Sequence, residues 1–109
     1  MTVCEYIWGQ YTRYNEATDR EKARMGGTIL VEKGTFEHFK VFCRNICEGG
    51  YVKQLEKVGI TLEQLKAAKE AGYMKRQEYT NWEARQLGRT TAYWLTNKGI
   101  KTIWNYYTK

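Results

Sequence analysis

The most regular hydrophobic pattern in the chain begins at Phe36. Apolar residues recur there at steps of three and four, which predicts one buried stripe of an α-helix over about residues 35–48. The stripe consists of Phe36, Phe39, Phe42, Cys43, Ile46 and Cys47. Thr35 is a suitable N-cap, and Gly49-Gly50 can end the helix because glycine tolerates the left-handed conformation found there. His38 falls on the polar side of this helix.

Further along the chain, helical spacing and strand-like alternation follow one another. We predict helices over 51–58 and 61–71, strands over 73–79 and 90–95, and a last helix that starts after Asn97. These boundaries rest on glycines, on N-cap residues and on changes of hydrophobic period.

The helix over 61–71 has both a start motif and a buried face. Thr61 and Gln64 fit the capping-box pattern, in which a hydroxyl is followed three residues later by Glu or Gln. Leu62, Leu65 and Ala68 are expected to be buried, and Ile60 is expected to fill the core at the turn before the helix.

The first 34 residues carry conflicting patterns. Apolar positions from Val3 to Tyr14 fit helical spacing, but their aromatic character and Gly9 also suit a strand, and periodicity does not decide between the two. Residues 28–31 form a short β-prone run. The chain is therefore divided into an N-terminal extension, residues 1–34, whose conformation stays open, and a domain over residues 35–109.

The order of elements from residue 35 onward predicts the fold. Two helices, a short glycine turn and a third helix form a helix-turn-helix, and the link over 58–61 has the right length for its bend. A hairpin with a long connection, residues 80–89, follows the third helix directly. We expect a mostly helical α+β protein, a winged helix-turn-helix with a two- or three-stranded antiparallel wing sheet.

Two stretches of this region resemble winged-helix transcriptional regulators of the PadR-like and MarR-like families. Residues 65–74 resemble the end of a recognition helix and the start of the first wing strand, and residues 88–100 resemble the second wing strand and the closing helix. The most specific part is Leu95-Thr96-Asn97-Lys98-Gly99. The resemblance covers about residues 51–104 and implies a transcription regulator that binds duplex DNA through helix 61–71 and a basic wing.

The chain departs from those families in its third helix and at its end. The third helix is short, and Glu63 and Glu70 accompany its lysines, so its exposed face is not strongly basic. The chain stops soon after Tyr107, without the long C-terminal helix by which such regulators form dimers. A homodimer is therefore expected to use residues 1–34 or the last helix.

Charge and composition narrow the function classes. The formal net charge of +6 favours phosphates or an acidic partner. Three cysteines and no secretory signal predict reduced thiols in a cytoplasmic protein. No stretch approaches the roughly 20 apolar residues that span a bilayer, so no membrane partner is expected. Cys43 and Cys47 have a spacing that can bind metal, but with a single histidine in the chain we favour buried thiols, no cofactor and no enzyme.

Contacts to DNA are expected from the third helix and the wing. The expected nucleic-acid-binding residues are Gln64, Lys66, Lys69, Lys75, Arg76, Arg85 and Arg89. Gln64 would read an adenine edge, and the two helix lysines would reach guanine or phosphate. The wing cations would contact the sugar-phosphate backbone or a minor groove. The alternatives are an ordinary solvated helix face and an exposed hairpin edge kept soluble by charge.

Two aromatic residues are candidates for contact with a partner. Trp82, in the wing connection, either folds back onto the sheet, which we favour, or stays exposed for a partner. Tyr106 lies off the apolar stripe of the last helix, where it would join a dimer interface. The alternative function is a winged helix that binds a host protein or nucleoprotein complex, such as a phage or mobile-element inhibitor of a nuclease or polymerase.

Overall fold

The structure, a computed structural model, describes residues 1–46, 57–78, 80–87 and 91–109. These residues form a mostly helical α+β arrangement, as expected. The elements are α1 (Val3–Glu16), α2 (Asp19–Met25), α3 (Phe36–Val41) continued by a π-helical turn (Phe42–Ile46), α4 (Leu62–Glu70), β1 (Met74–Glu78), α5 (Asn81–Leu87), β2 (Thr91–Leu95) and α6 (Asn97–Thr108). The predicted helix over 51–58 lies almost wholly outside the described residues, as do Cys47 and Gly49-Gly50.

The N-terminal residues, left open by the sequence, begin with two helices. Thr2 and Glu5 form a capping box at the start of α1, and Thr18 and Glu21 form another at the start of α2. The β-prone run over 28–31 is not a strand. Within this run, the Leu30 side chain is 96% exposed, and the Ile29 N–H donates to the Tyr14 hydroxyl.

The helix predicted over 35–48 starts as expected and then changes its winding. The Thr35 hydroxyl accepts from the His38 N–H, and regular α-helix gives way to a π-helical turn after Val41. The placement of His38 on the polar side is wrong, because this side chain is only 4% exposed. The reason is tertiary: α1 brings Tyr11 over that side of α3 and gives His38 a hydrogen-bond partner.

The main core is built where α1, α3 and α6 meet. Its fully buried members are Ile7, Tyr11, Tyr14, Phe39, Phe42, Ile100 and Ile103. Half-buried aromatic rings extend this core toward the surface, and Trp8 stacks on Tyr107 with ring centroids 4.9 Å apart. Trp104 stacks on Phe39 with ring centroids 5.8 Å apart, so it also belongs to the packing of this core.

A second, smaller core lies between α4 and the strands. It contains Ile60, Leu65, Met74 and Tyr93. The predicted burial of Ile60 and Leu65 is confirmed, whereas that of Leu62 is wrong, because Leu62 is 41% exposed. Leu62 lies in the first turn of α4, at the side of a cleft that faces solvent. Val3, Tyr6 and Leu95 pack against both cores and join them.

Within the described residues, the sheet is a two-stranded antiparallel ribbon. Met74 pairs with Leu95, and the register continues outward to Glu78 opposite Thr91. The connection between the strands contains α5, which was not predicted. The Thr80 hydroxyl accepts from the Glu83 N–H, and the Glu83 carboxylate accepts from the Thr80 N–H. This is the same capping-box pattern that marks α4 in the sequence.

The base of the ribbon is fixed to the start of α6. The N-cap of α6 is Thr96, so the helix begins one residue earlier than predicted. The Thr96 hydroxyl accepts from the Gly99 N–H and donates to the Gly72 carbonyl oxygen at 2.7 Å. The Thr96 N–H also donates to the Tyr73 carbonyl oxygen at 3.0 Å. Lys98 Nζ donates to the Ala71 carbonyl oxygen at 2.9 Å.

Gly99 allows the closest backbone approach at this junction. A Cβ atom on residue 99 would overlap the Tyr73 carbonyl oxygen, which is already held by the Thr96 N–H. Overlap with backbone cannot be relieved by rotating a side chain. The glycine in the Leu-Thr-Asn-Lys-Gly sequence is therefore required by the contact between α6 and the turn that leads into β1.

We predict that Gly99→Ala destabilises the protein, although alanine is the better helix former by about 1 kcal/mol. The free energy of unfolding in urea should fall by roughly 3 kcal/mol or more, the upper end of overpacking costs. Gly9→Ala is the matched control, because Gly9 also lies inside a helix and a Cβ there meets nothing within 4 Å. The control should be neutral or stabilised, and equal stability of the two variants would contradict this account of Gly99.

Candidate nucleic-acid interface

The start of α4 uses one of the predicted DNA-reading residues for its own cap. The Thr61 hydroxyl accepts from the Gln64 N–H at 3.2 Å, and Gln64 Oε1 accepts from the Thr61 N–H at 3.1 Å. An adenine edge is read by the oxygen and the nitrogen of an amide together. In this position the Gln64 oxygen is turned back to the helix start and is not available for that pairing.

Three of the predicted cations come together beside α4. Lys66 and Lys69, three residues apart on the helix, line one side of an open cleft of about 450 Å³, and Arg76 lines it from β1. We call it the α4 cleft; the described residues that line it are Leu62, Lys66, Lys69, Glu70, Arg76 and Tyr93. The cleft exists because Leu65, buried against Met74 and Tyr93, holds the other side of the helix on the ribbon.

Two carboxylates moderate the charge of the α4 cleft. Glu70 is the acidic side chain among its described lining residues. Glu78 forms an ion pair with Arg76 at 2.7 Å, but both side chains are well exposed. Exposed ion pairs contribute little, about 0–1 kcal/mol, so the Arg76 guanidinium can exchange this partner for another anion at small cost.

The ribbon directs Lys75 to the opposite face. Residues paired across an antiparallel ribbon share a face, and the faces alternate along each strand. Arg76 pairs with Tyr93 on the side of α4, whereas Lys75 pairs with Trp94 on the other side. Both cations belong to the expected wing contacts, and the opposite faces that strand alternation predicts for them are confirmed by the register.

On that opposite face lies a second cleft of about 330 Å³, between the ribbon and the π-helical turn. We call it the Arg44 cleft; the described residues that line it are Cys43, Arg44, Lys75, Gln77, Trp94, Leu95, Thr96 and Asn97. None of these described residues is acidic, and two are cations. The cleft is therefore suited to an anion.

Arg44 was not singled out from the sequence as a site residue. Its guanidinium donates to the Leu95 carbonyl oxygen at 3.2 Å and to the Asn97 side-chain oxygen, so it is held at the end of β2. These partners lie more than fifty residues away in the chain. Helical periodicity indicates that Arg44 is polar-facing, but no local pattern shows which distant strand end it meets.

The tip of the ribbon carries Trp82 and Arg85 on α5. The favoured prediction that Trp82 folds back onto the sheet is wrong, because its side chain is 69% exposed. The capped helix holds it outward, and Arg85, three residues on, is also exposed on a neighbouring position. Arg89 lies outside the described residues. Tyr106 is 72% exposed and packs edge-on against Tyr107, at a ring distance of 4.9 Å.

The two cysteines among the described residues pack against the main core. Cys4 and Cys43 are thiols, half-buried against the main core, and burial raises the pKa of the Cys4 thiol. In the part of the chain that the structure describes, no three His, Cys, Asp or Glu side chains come together as a metal site. None of the helices among these same residues has the length and apolar character needed to cross a membrane.

Comparison of the chain with protein-family models, with curated proteins and with solved structures found no match. The function proposed below therefore rests on the two clefts, the ribbon and their charges.

Tyr11 and His38 form a buried polar pair at the main core. The Tyr11 hydroxyl and His38 Nδ1 are 2.7 Å apart. Burial lowers the pKa of His38, and the nearby charges of Lys22 and Lys33 lower it further. The neutral imidazole is the form that the folded core accepts.

We predict that stability falls as this histidine is forced to take up a proton. Because its pKa is lower in the folded than in the unfolded state, the unfolded chain binds more protons below about pH 6.5. The free energy of unfolding should therefore decrease as the pH falls from 7 toward 5. His38→Asn keeps a hydrogen-bond acceptor near the position of Nδ1 but cannot be protonated, so its pH dependence in that window should be flatter. An unchanged pH profile in the variant would show that His38 is not the responsible group.

Proposed function

We propose that this protein binds duplex DNA as a small winged-helix transcription regulator. The observation that carries the proposal is the α4 cleft, where cations from two different elements, Lys66 and Lys69 from α4 and Arg76 from β1, face one open groove. A phosphate strand that enters this groove would be contacted from both sides. Neutralising phosphates with lysine and arginine releases counterions, which provides most of the sequence-independent affinity for DNA.

The arrangement of the described elements supports the winged-helix assignment. A helix is followed directly by a ribbon and then by a closing helix, and the junction around Thr96 and Gly99 fixes their mutual positions. Contacts from lysine and arginine to phosphates would fix the position of the protein on the duplex, whereas contacts to base edges would provide sequence specificity. A homodimer would present two such clefts to two half-sites, and the exposed Tyr106 offers a contact for the second copy.

We predict that Lys66→Ala combined with Lys69→Ala weakens binding to a random-sequence duplex of about 30 base pairs. If each lysine contacts one phosphate, the slope of log K against log salt should become shallower by roughly 1.8, because each contact contributes about 0.9. Fluorescence anisotropy across a salt series measures both affinity and slope.

The matched control is Lys101→Ala combined with Lys109→Ala, which removes the same charge from exposed positions on and after α6. This control should leave the slope unchanged, since these lysines lie outside the α4 cleft. Equal effects of the two double variants would indicate a response to net charge alone. Wild-type protein that does not bind at about 50 mM salt would refute duplex binding.

A protein partner is the second candidate, and the exposure of Trp82 favours it. Tryptophan is enriched at protein interfaces, and a side chain 69% exposed on a capped helix is ready for contact. This candidate predicts capture of a host protein from lysate by the wild type and its loss with Trp82→Ala. Salt-dependent duplex binding by the wild type, with no protein captured from the lysate, would favour DNA.

A further inference from the structure

The ribbon has a cationic cleft on each of its two faces. Lys66, Lys69 and Arg76 serve the α4 cleft, while Lys75 and Arg44 serve the Arg44 cleft on the opposite face. A flat anionic surface could contact only one face of the ribbon at a time. A groove with a phosphate strand on either side can contact both.

We propose that the ribbon and α5 enter the major groove of duplex DNA, with one phosphate strand in each cleft. This inference rests on the proposed function and specifies which element enters the groove. The sequence resemblance implied that α4 is the recognition helix. The present inference instead gives α4 the role of holding the phosphate backbone.

The dimensions of the ribbon agree with this placement. The major groove of B-DNA is about 12 Å wide and 8.5 Å deep and admits either a two-stranded ribbon or an α-helix, whereas the minor groove is about 6 Å wide. From Lys75 to Glu78 the ribbon is exposed and extends roughly 10 Å at about 3.3 Å per residue. The exposed stretch is therefore about as long as the groove is deep, so the connection that carries α5 would lie at the groove floor.

The surface of α4 is less suited to reading bases. The Gln64 side-chain oxygen is engaged in the cap, and the partly exposed Leu62 has no hydrogen-bonding group for a base edge. In contrast, two of the exposed side chains of α5, those of Trp82 and Arg85, match what a groove floor presents. Arg85 can donate to the acceptors of guanine, and the Trp82 ring can pack on a thymine methyl group.

Lys75 gives the decisive test, because it lines the cleft on the face away from α4 and, unlike Arg44, does not anchor the end of β2. Lys75→Ala should make the salt slope for the random-sequence duplex shallower by about 0.9, the value for one lost phosphate contact. Lys101→Ala, the matched control, should leave the slope unchanged. Lys75 has no ion pair or hydrogen bond with the other residues that the structure describes, so its removal should leave the urea unfolding curve as in the wild type.

A competition experiment identifies the groove. Methyl green, which occupies the major groove, should displace the wild-type protein from the same duplex, and netropsin, which occupies the minor groove, should not. Trp82→Ala should weaken binding roughly 10-fold, which corresponds to about 1.4 kcal/mol, with no change in salt slope because the ring carries no charge.

The outcomes separate this inference from the proposed function. Entry of the ribbon into the major groove is overturned if the salt slope of Lys75→Ala equals that of Lys101→Ala. It is also overturned if netropsin, rather than methyl green, displaces the protein from the duplex. Duplex binding that still depends on Lys66 and Lys69 would in that case retain the proposed function. Unchanged affinity of Trp82→Ala likewise contradicts the placement of α5 at the groove floor, whereas absence of any salt-dependent binding refutes both.

Discussion

The contact of α6 with the turn that leads into β1 sets the geometry of the whole candidate interface. Gly99 lies so close to the Tyr73 carbonyl oxygen that no side chain fits between them, and Thr96 bonds to both Gly72 and Tyr73. Backbone contacts of this kind are less adjustable than side-chain packing. They fix α4 and the ribbon at one mutual position, and the α4 cleft is the space that this position leaves open.

The aromatic core determines the other face of the ribbon. Packing of α1 and α6 against α3 holds the π-helical turn in place, and this turn carries Arg44 to the end of β2. The same residue thus anchors the ribbon and lines the second cleft. Because Val3 and Leu95 pack against both cores, α1 also contributes to the surroundings of the ribbon. Stability and the charge pattern of the interface consequently depend on the same contacts.

Local sequence patterns predicted the helices and strands of this protein better than they predicted which distant residues contact each other. Capping residues marked α4 and α6 to within one residue, and strand-like alternation predicted both strands of the ribbon. Burial of His38 depends on Tyr11 from another helix, and the anchoring of Arg44 depends on a distant strand end, so neither appears in a local pattern. The helix α5 was predictable in principle, since Thr80 and Glu83 form a capping box. The exposure of Trp82 depends on that helix, because Trp82 lies in its first turn.

The most direct test of a ribbon inserted into DNA is an NMR titration of the ¹⁵N-labelled protein with a random-sequence duplex of about 16 base pairs. Entry of the ribbon into a groove predicts that the largest amide shifts occur along β1, in α5 and in α4 near Lys66, while α1 and the Tyr106 end of α6 stay unchanged. Shifts concentrated on α1 and α6, with β1 and α5 unaffected, would contradict the account and place the DNA contact on the other side of the molecule.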